Sequence, residues 1–346
     1  MKIIFSFALC CLALLLLFSA FGILSSGFGP NIQALLTSPI GGPAALHLPI
    51  TQAPQTATLL FVGDIMLDRG VEFEIKKNGG DWTWPFHRIA DAFSEADLAF
   101  GNLESQISDK GENVGSMYSL RADPRSIEGL VYTGFDVLSV ANNHSFDYGK
   151  EAFEDSLSRL KAAGIAPVGG GLSREEAEGL VIREVRGTKV GFLAYANSGS
   201  PAWAATEQSS SIAWADLKTL PDILQDIGKA KKLADILVVS LHAGEEYAPE
   251  PNEFQRRFSQ GGIEAGADLV VGHHSHVVQP LVPHARKDGS HGWIAYGLGN
   301  FMFDQNISEE TMRGAILKML VENKKIKEIS LLPTRLTSSF QVQIEE

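Results

Sequence analysis

The sequence predicts an α/β protein, with short strands in a sheet covered by helices. Two observations predict it. Short apolar runs alternate with amphipathic stretches of helical length along most of the chain. Nearly every apolar run also closes on polar residues able to bind a ligand, as happens where a site lies beyond the carboxyl ends of the strands.

The elements follow in order. "ATLLFVGD" reads as a buried strand ending at Gly63-Asp64, "TWPFHRIADAFSEA" as an amphipathic helix and "DLAFGNLE" as a strand. "DPRSIEGLVYTG" is a helix opened by Asp-Pro, "FDVLSVANNH" a strand, and "KEAFEDSLSRLKAAG" a helix stopped by Gly164. "LVIREVRGTKVGFLAYAN" predicts two strands around a Gly turn, and "NSGSPAWAATEQSSSIAW" is long enough to be a functional loop or lid. "TLPDILQDIGKAKKLA" and "NEFQRRFSQGGIEAG" predict helices, and "DILVVSLHAG" and "ADLVVGHHSH" strands. "GWIAYGLGNFMF" reads as a strand and "GAILKMLVENKKIKEISLLP" as a hairpin.

The strand ends carry the functional signal. They supply Asp64, then Asn102 with Glu104, then Asn142, Asn143 and His144, then His242, then His273, His274 and His276, and last Asn300 with Asp304. Taken singly, Asp or Asn after a strand is an ordinary turn former, and a lone histidine is an ordinary satisfied side chain. Six such endings in succession point to a metal centre. In an extended segment side chains alternate, so His274 and His276 are expected on one side and His273 on the other. A pair of imidazoles is not a site, and the remaining ligands must come from the other strand ends.

Composition limits the chemistry. The 346 residues are enough for one large domain or two ordinary ones, and 41 acidic against 29 basic residues give a net charge of -12. That balance excludes nucleic-acid binding through a basic surface, and it repels a polyanion unless a bound cation reverses the local field. Cys10 and Cys11 are the only cysteines, both in the leader, so the rest of the chain has no disulfide and no thiolate metal site. A divalent ion held by His, Asp, Glu or Asn, such as Mn, Mg, Fe or Zn, suits what remains.

The leader runs apolar from Ile3 to Leu24 behind Lys2. A run of about 20 apolar residues is long enough to span a bilayer, whereas signal-peptide cores are about 7–15. Ser19, Ala20 and Gly22 also offer small residues for cleavage. Residues 1–24 are therefore expected to be a signal anchor, with a cleaved signal peptide as the alternative, and Lys2 places the bulk of the chain outside the cytoplasm. The expected location is the cell membrane, single-pass, or secreted if the leader is cleaved. Residues 25–55, rich in Pro, Gly and Thr and nearly uncharged, read as a linker. Residues 56–335 form the main domain and 336–346 a tail.

Six blocks, "GDIMLDRG", "GNLESQI", "ANNHSFDYG", "HAGEEY", "GADLVVGHHSHVVQP" and "YGLGNFMFDQ", resemble in this order the capsule synthesis CapA family, over about Thr56 to Pro333. That resemblance implies a part in making poly-γ-glutamate capsule, with an anionic envelope polymer or its membrane synthase complex as partner. The family is similar in turn to the calcineurin-like metallophosphoesterases, which implies a two-sheet αββα sandwich following the apolar leader helix. By that resemblance Asp64, Asn143, His242, His274 and His276 are metal ligands, His144 protonates a leaving oxygen, and Asp147 orients His144. Met66 and Asn102 stand where the phosphoesterases have His and a bridging Asp. Asn is neutral, which argues against two cations bridged at Asn102; Glu104 is the carboxylate that takes over. Within the CapA pattern, Ala243 and Ser275 replace a usual Trp and Pro.

The reading that follows is an extracytoplasmic protein of polymer synthesis or export with a metal-dependent hydrolase or transferase site. An envelope phosphomonoesterase or phosphodiesterase is the alternative. A non-catalytic scaffold of an export complex is a second one.

Overall fold

A computed structural model describes residues 55–345 except 205. The expected leader and nearly all of the expected linker lie outside the described residues. Among the described residues no helix is long and apolar enough to cross a membrane.

The protein has a mixed α/β fold built on two large sheets. The eight-stranded sheet orders Val342–Ile344, Lys325–Leu336, Arg313–Glu322, Thr56–Ile65, Leu98–Leu103, Val137–Ser139 and Ala166–Val168, with Asn300–Met302 pairing beside the end of Thr56–Ile65. The six-stranded sheet orders Leu281–Ala285, His291–Ala295, Leu269–His273, Ile236–His242, Thr188–Ala196 and Val181–Val185. In each sheet the central strands run parallel, so their carboxyl ends share an edge.

The sheets face each other through aromatic rings. Phe100 of the first stacks on Phe192 of the second at 5.5 Å, and Phe61 lies 5.9 Å from Phe100. On the far face of the first sheet, Phe93 and Phe135 pack with Phe301 beside the helices Ala90–Ser94 and Ile127–Thr133. On the far face of the second, the helices Leu220–Lys231 and Glu253–Ala265 bury Ile223, Ile227, Phe258 and Ile263 against Leu237, Val239 and Val270. The central strands of each sheet are covered on both faces. That is why they read as unbroken apolar runs and not as alternating ones.

Several expectations need correction. "TWPFHRIADAFSEA" is not one helix: Pro85 opens a short 3-10 turn, Trp84–Phe86, and only Ala90–Ser94 is α-helical. The helix Arg69–Lys77 was not foreseen, because Val71 and Ile75 are its only buried apolar side chains. "GWIAYGLGNFMF" divides between the sheets, His291–Ala295 in one and Asn300–Met302 in the other, and Gly299 turns the link with φ 68°. The expected tail adds the strand Val342–Ile344, antiparallel to Lys325–Leu336, so the first sheet continues past the expected domain boundary.

Candidate metal centre

Parallel pairing aligns the polar strand ends. Asp64 stands in register with Asn102 on one side and Asn300 on the other, and His242 with His273 in the second sheet. Close backbone approach makes this alignment possible. A Cβ on Gly63 would lie 1.8 Å from the Gly299 carbonyl oxygen, and one on Gly272 1.9 Å from that of Tyr296. The glycines just before Asp64 and His273 therefore let the 296–300 segment run against both strands.

The two sheets meet at the buried carboxylates. Asp64 accepts hydrogen bonds from Asn102 Nδ2 (2.8 Å) and from the backbone N–H of His274 (3.1 Å). Glu104 is fully buried, and its Oε1 has no hydrogen-bond partner among the described residues. Three imidazole Nε2 atoms face that oxygen: His276 at 3.7 Å, His144 at 3.8 Å and His242 at 3.9 Å. Burying a bare carboxylate oxygen is costly, so this arrangement calls for a positive centre between the groups. Ligands on one zinc-like ion with bonds of about 2.1 Å stand about 3.4 Å apart, close to the spacing seen. Glu104 belongs to two clusters able to hold an ion, one with His242 and His274 and one with Asp64 and His276. The donor set, carboxylate with imidazole and no thiolate, fits a borderline or hard divalent ion.

Supporting contacts aim the rings. His276 Nδ1 is 3.0 Å from Asn300 Oδ1; donating there leaves Nε2 free towards Glu104. His144 Nδ1 is 2.6 Å from Asp147 Oδ2, which also accepts from the Leu120 N–H at 2.8 Å. Asn143 Oδ1 is 2.6 Å from His242 Nε2. Burial holds the pKa of His242 well below the ordinary histidine value, brings that of His274 down to about 4, and lowers that of His276. Neutral imidazoles are the form that binds metal. Burial, and next the charge of Asp64, pushes Glu104 well above the usual carboxylate range. Burial also opposes ionisation of Asp64, but the surrounding histidines, His273 first, outweigh it and lower its pKa.

The nine expected site residues thus divide. Asp64, Glu104, His242, His274 and His276 lie in the ligand clusters, and Asn143, His144 and Asp147 at their border. Asn102 lies among the cluster members, its amide nitrogen 2.8 Å from Asp64 Oδ1, 3.2 Å from His242 Nδ1 and 3.4 Å from Glu104 Oε2, while its oxygen accepts from Asn142 Nδ2 (3.2 Å). The reason given for separating His273 from His274 and His276 needs correction. The strand ends at His273, and His274 (φ 88°) and His276 (φ 54°) are left-handed, so no extended alternation applies. His273 is outside the clusters, yet its Nδ1 lies 3.4 Å from Asp64 Oδ1. Met66 is buried, and its sulfur accepts from the Asp68 N–H at 3.1 Å. The sequence reading missed Glu246, which forms a cluster with His274 and His276; its only signal was closeness to the strand end at His242.

Fold and site define a mixed α/β protein with a candidate metal centre where two sheets meet. The chain belongs to the family of bacterial capsule synthesis proteins, PGA_cap, which matches residues 58–305. It is similar to the PGA biosynthesis protein CapA of Bacillus subtilis, 33% identical over 259 residues, covering 74% of this chain and 65% of that protein. The capsule biosynthesis protein CapA of Bacillus anthracis is 32% identical over 257 residues, covering 72% of this chain and 60% of that one. The chain thus spans less than two thirds of the length of either relative. Among solved structures, a phosphatase of Mycoplasma pneumoniae overlays with a TM-score of 0.49 at 15% identity, covering 81% of this chain and 94% of that one.

Proposed function

We propose that this chain acts outside the cytoplasm in the synthesis or export of an anionic envelope polymer such as poly-γ-glutamate, through a metal-dependent hydrolase-like site of metallophosphoesterase type. The observation that carries the metal part is the unpartnered Glu104 Oε1 among three Nε2 atoms. The polymer part rests on family membership and on the two CapA relatives.

Asp64, Glu104, His242, His274 and His276, with Asn143 beside them, would hold the ion. A divalent cation there supplies Lewis acidity towards a carbonyl or phosphoryl oxygen, and positive potential in an acidic protein that must meet a polyanion. His144 donates a proton to the leaving atom from Nε2, while Asp147 holds Nδ1 and so fixes the ring's tautomer and direction. Asn102 and Asn300 position Asp64 and His276. A cavity of about 620 Å³, lined mainly by apolar groups such as Val277 and Leu331 with the paired Arg313 and Glu345, opens beside Tyr247.

One observation favours the phosphoesterase alternative. Glu104 belongs to two ligand clusters and would supply there the anionic charge that the neutral Asn102 lacks. A single experiment separates the readings. The full-length protein, stripped by chelator and reloaded with Mn, Zn, Fe or Mg, is assayed on γ-glutamyl polymers and on phosphoesters. Metal-dependent cleavage or transfer of γ-glutamyl chains supports the main reading, and turnover of phosphoesters alone replaces it. Tight metal binding with no turnover of either leaves a scaffold.

A further inference from the structure

The turn after the Ile236–His242 strand carries Glu246, exposed at the mouth of the candidate centre. Its carboxylate and the rings of His274 and His276 each offer one ligand atom, all within 4.8 Å of one another. Both imidazoles are buried, and His274 Nδ1 has no hydrogen-bond partner among the described residues. A buried polar nitrogen left open beside a solvent-facing carboxylate is unexplained by the rest of the fold.

The turn is fastened where it lies. Tyr247 donates its backbone N–H to the Ser275 carbonyl at 2.7 Å, and Gln279 Nε2 donates to the Ala248 carbonyl at 2.8 Å. Gln305 Nε2 donates to the Tyr247 hydroxyl at 3.3 Å. Tyr247 itself is left-handed (φ 64°), as are His274 and His276 across from it. Three non-glycine residues in that conformation, on two touching segments, are held there by these contacts, and such strain collects at functional sites.

We infer that Glu246 is a solvent-facing ligand, beside His274 and His276, of the divalent cation at the centre built around Glu104. Two imidazoles and one carboxylate suit a borderline ion such as Co, Zn, Mn or Fe, with open positions left for water or a substrate oxygen. The inference deepens the metal-dependent reading proposed above and rests on it.

Cobalt(II) tests it without reference to activity. The full-length protein is stripped with chelator and titrated with Co(II), following visible absorption and free metal. Glu246→Gln is compared with the unaltered chain, with Glu245→Gln as the exposed neighbour outside the cluster and with Asp64→Ala. The expected result is Co(II) binding weakened at least about 10-fold and a changed spectrum in Glu246→Gln, with Glu245→Gln like the unaltered chain. The urea midpoint in chelator should be the same for both glutamate variants, since both side chains are exposed. A Glu246→Gln curve and spectrum matching the unaltered protein, while Asp64→Ala loses the metal, overturns this inference and leaves the metal reading standing. No Co(II) bound by the unaltered chain overturns both.

Discussion

His144 Nδ1 lies 2.6 Å from Asp147 Oδ2, three residues on in one short turn. The turn is built by Asn142, whose Oδ1 accepts from the His144 N–H (3.0 Å) and whose Nδ2 donates to the Leu103 carbonyl (2.8 Å). The result is an imidazole whose Nε2 lies 3.8 Å from Glu104 Oε1 while its Nδ1 adjoins Asp147. Under the function proposed above, that pairing makes His144 a proton donor and not a metal ligand.

If His144 is the donor, His144→Ala keeps its metal and its urea midpoint but loses turnover by about 10²–10⁴-fold. Asp147→Asn loses less, since it disturbs only tautomer and orientation. Complementation of polymer production by a metal-replete His144→Ala protein would show that no proton donor is needed.

The histidines should respond unequally. His274→Ala with His276→Ala removes two cluster members and releases the ion. His273→Ala should weaken binding only about 10–100-fold, by loosening Asp64, the carboxylate it adjoins. Metal analysis after dialysis checks this, and equal loss from both changes would place His273 among the ligands.

Acid should destabilise the metal-free protein. Histidines whose native pKa is lowered refuse protons that the unfolded chain takes up below its ordinary value of 6.5, so their stability is lost as pH falls. For His274, with a native value of about 4, the full effect is roughly 3 kcal/mol. Glu104 acts with the opposite sign. Its raised pKa gives stability that is fully present below the ordinary 4.5 and lost as pH rises through the native value. With His242, His274 and His276 against one glutamate, the urea midpoint in chelator should fall between pH 6.5 and about 4.5. A flat profile there would mean these rings are not held neutral.

The leader should decide location. With an anchor at residues 3–24, the full-length protein stays with membranes through a carbonate wash. A native N-terminus between Ser19 and Ser26 would instead show a cleaved signal and a secreted domain.

Much of this was legible in advance, for identifiable reasons. A strand covered on both faces must be apolar throughout, so Leu59–Val62 and Leu237–Val239 announced themselves. Parallel strands put their carboxyl ends on one edge, so Asp64, Glu104, His242 and His276 could be collected into one site before any contact was known. Backbone geometry after the strand end was not legible. Whether His274 and His276 alternate or turn back depends on left-handed φ angles that the Asp64 carboxylate and the Asn300 side chain help to hold.

The sequence by itself determined the α/β class, the absence of cysteine beyond Cys11, and the set of strand-end residues from which a site must be drawn. All three depend on local composition and period. Only the tertiary structure decided which sheet each strand joins, the division of 291–302 between the two sheets, and the contacts of Asn102 with Asp64 and Asn142. It alone brought Glu246 to the histidines and left Glu104 Oε1 without a hydrogen-bond partner among the described residues. These depend on contacts between residues far apart in the chain, such as the His274 N–H on Asp64, 210 positions away. No local pattern encodes such a distance, because it arises only when two sheets pack and their edges meet.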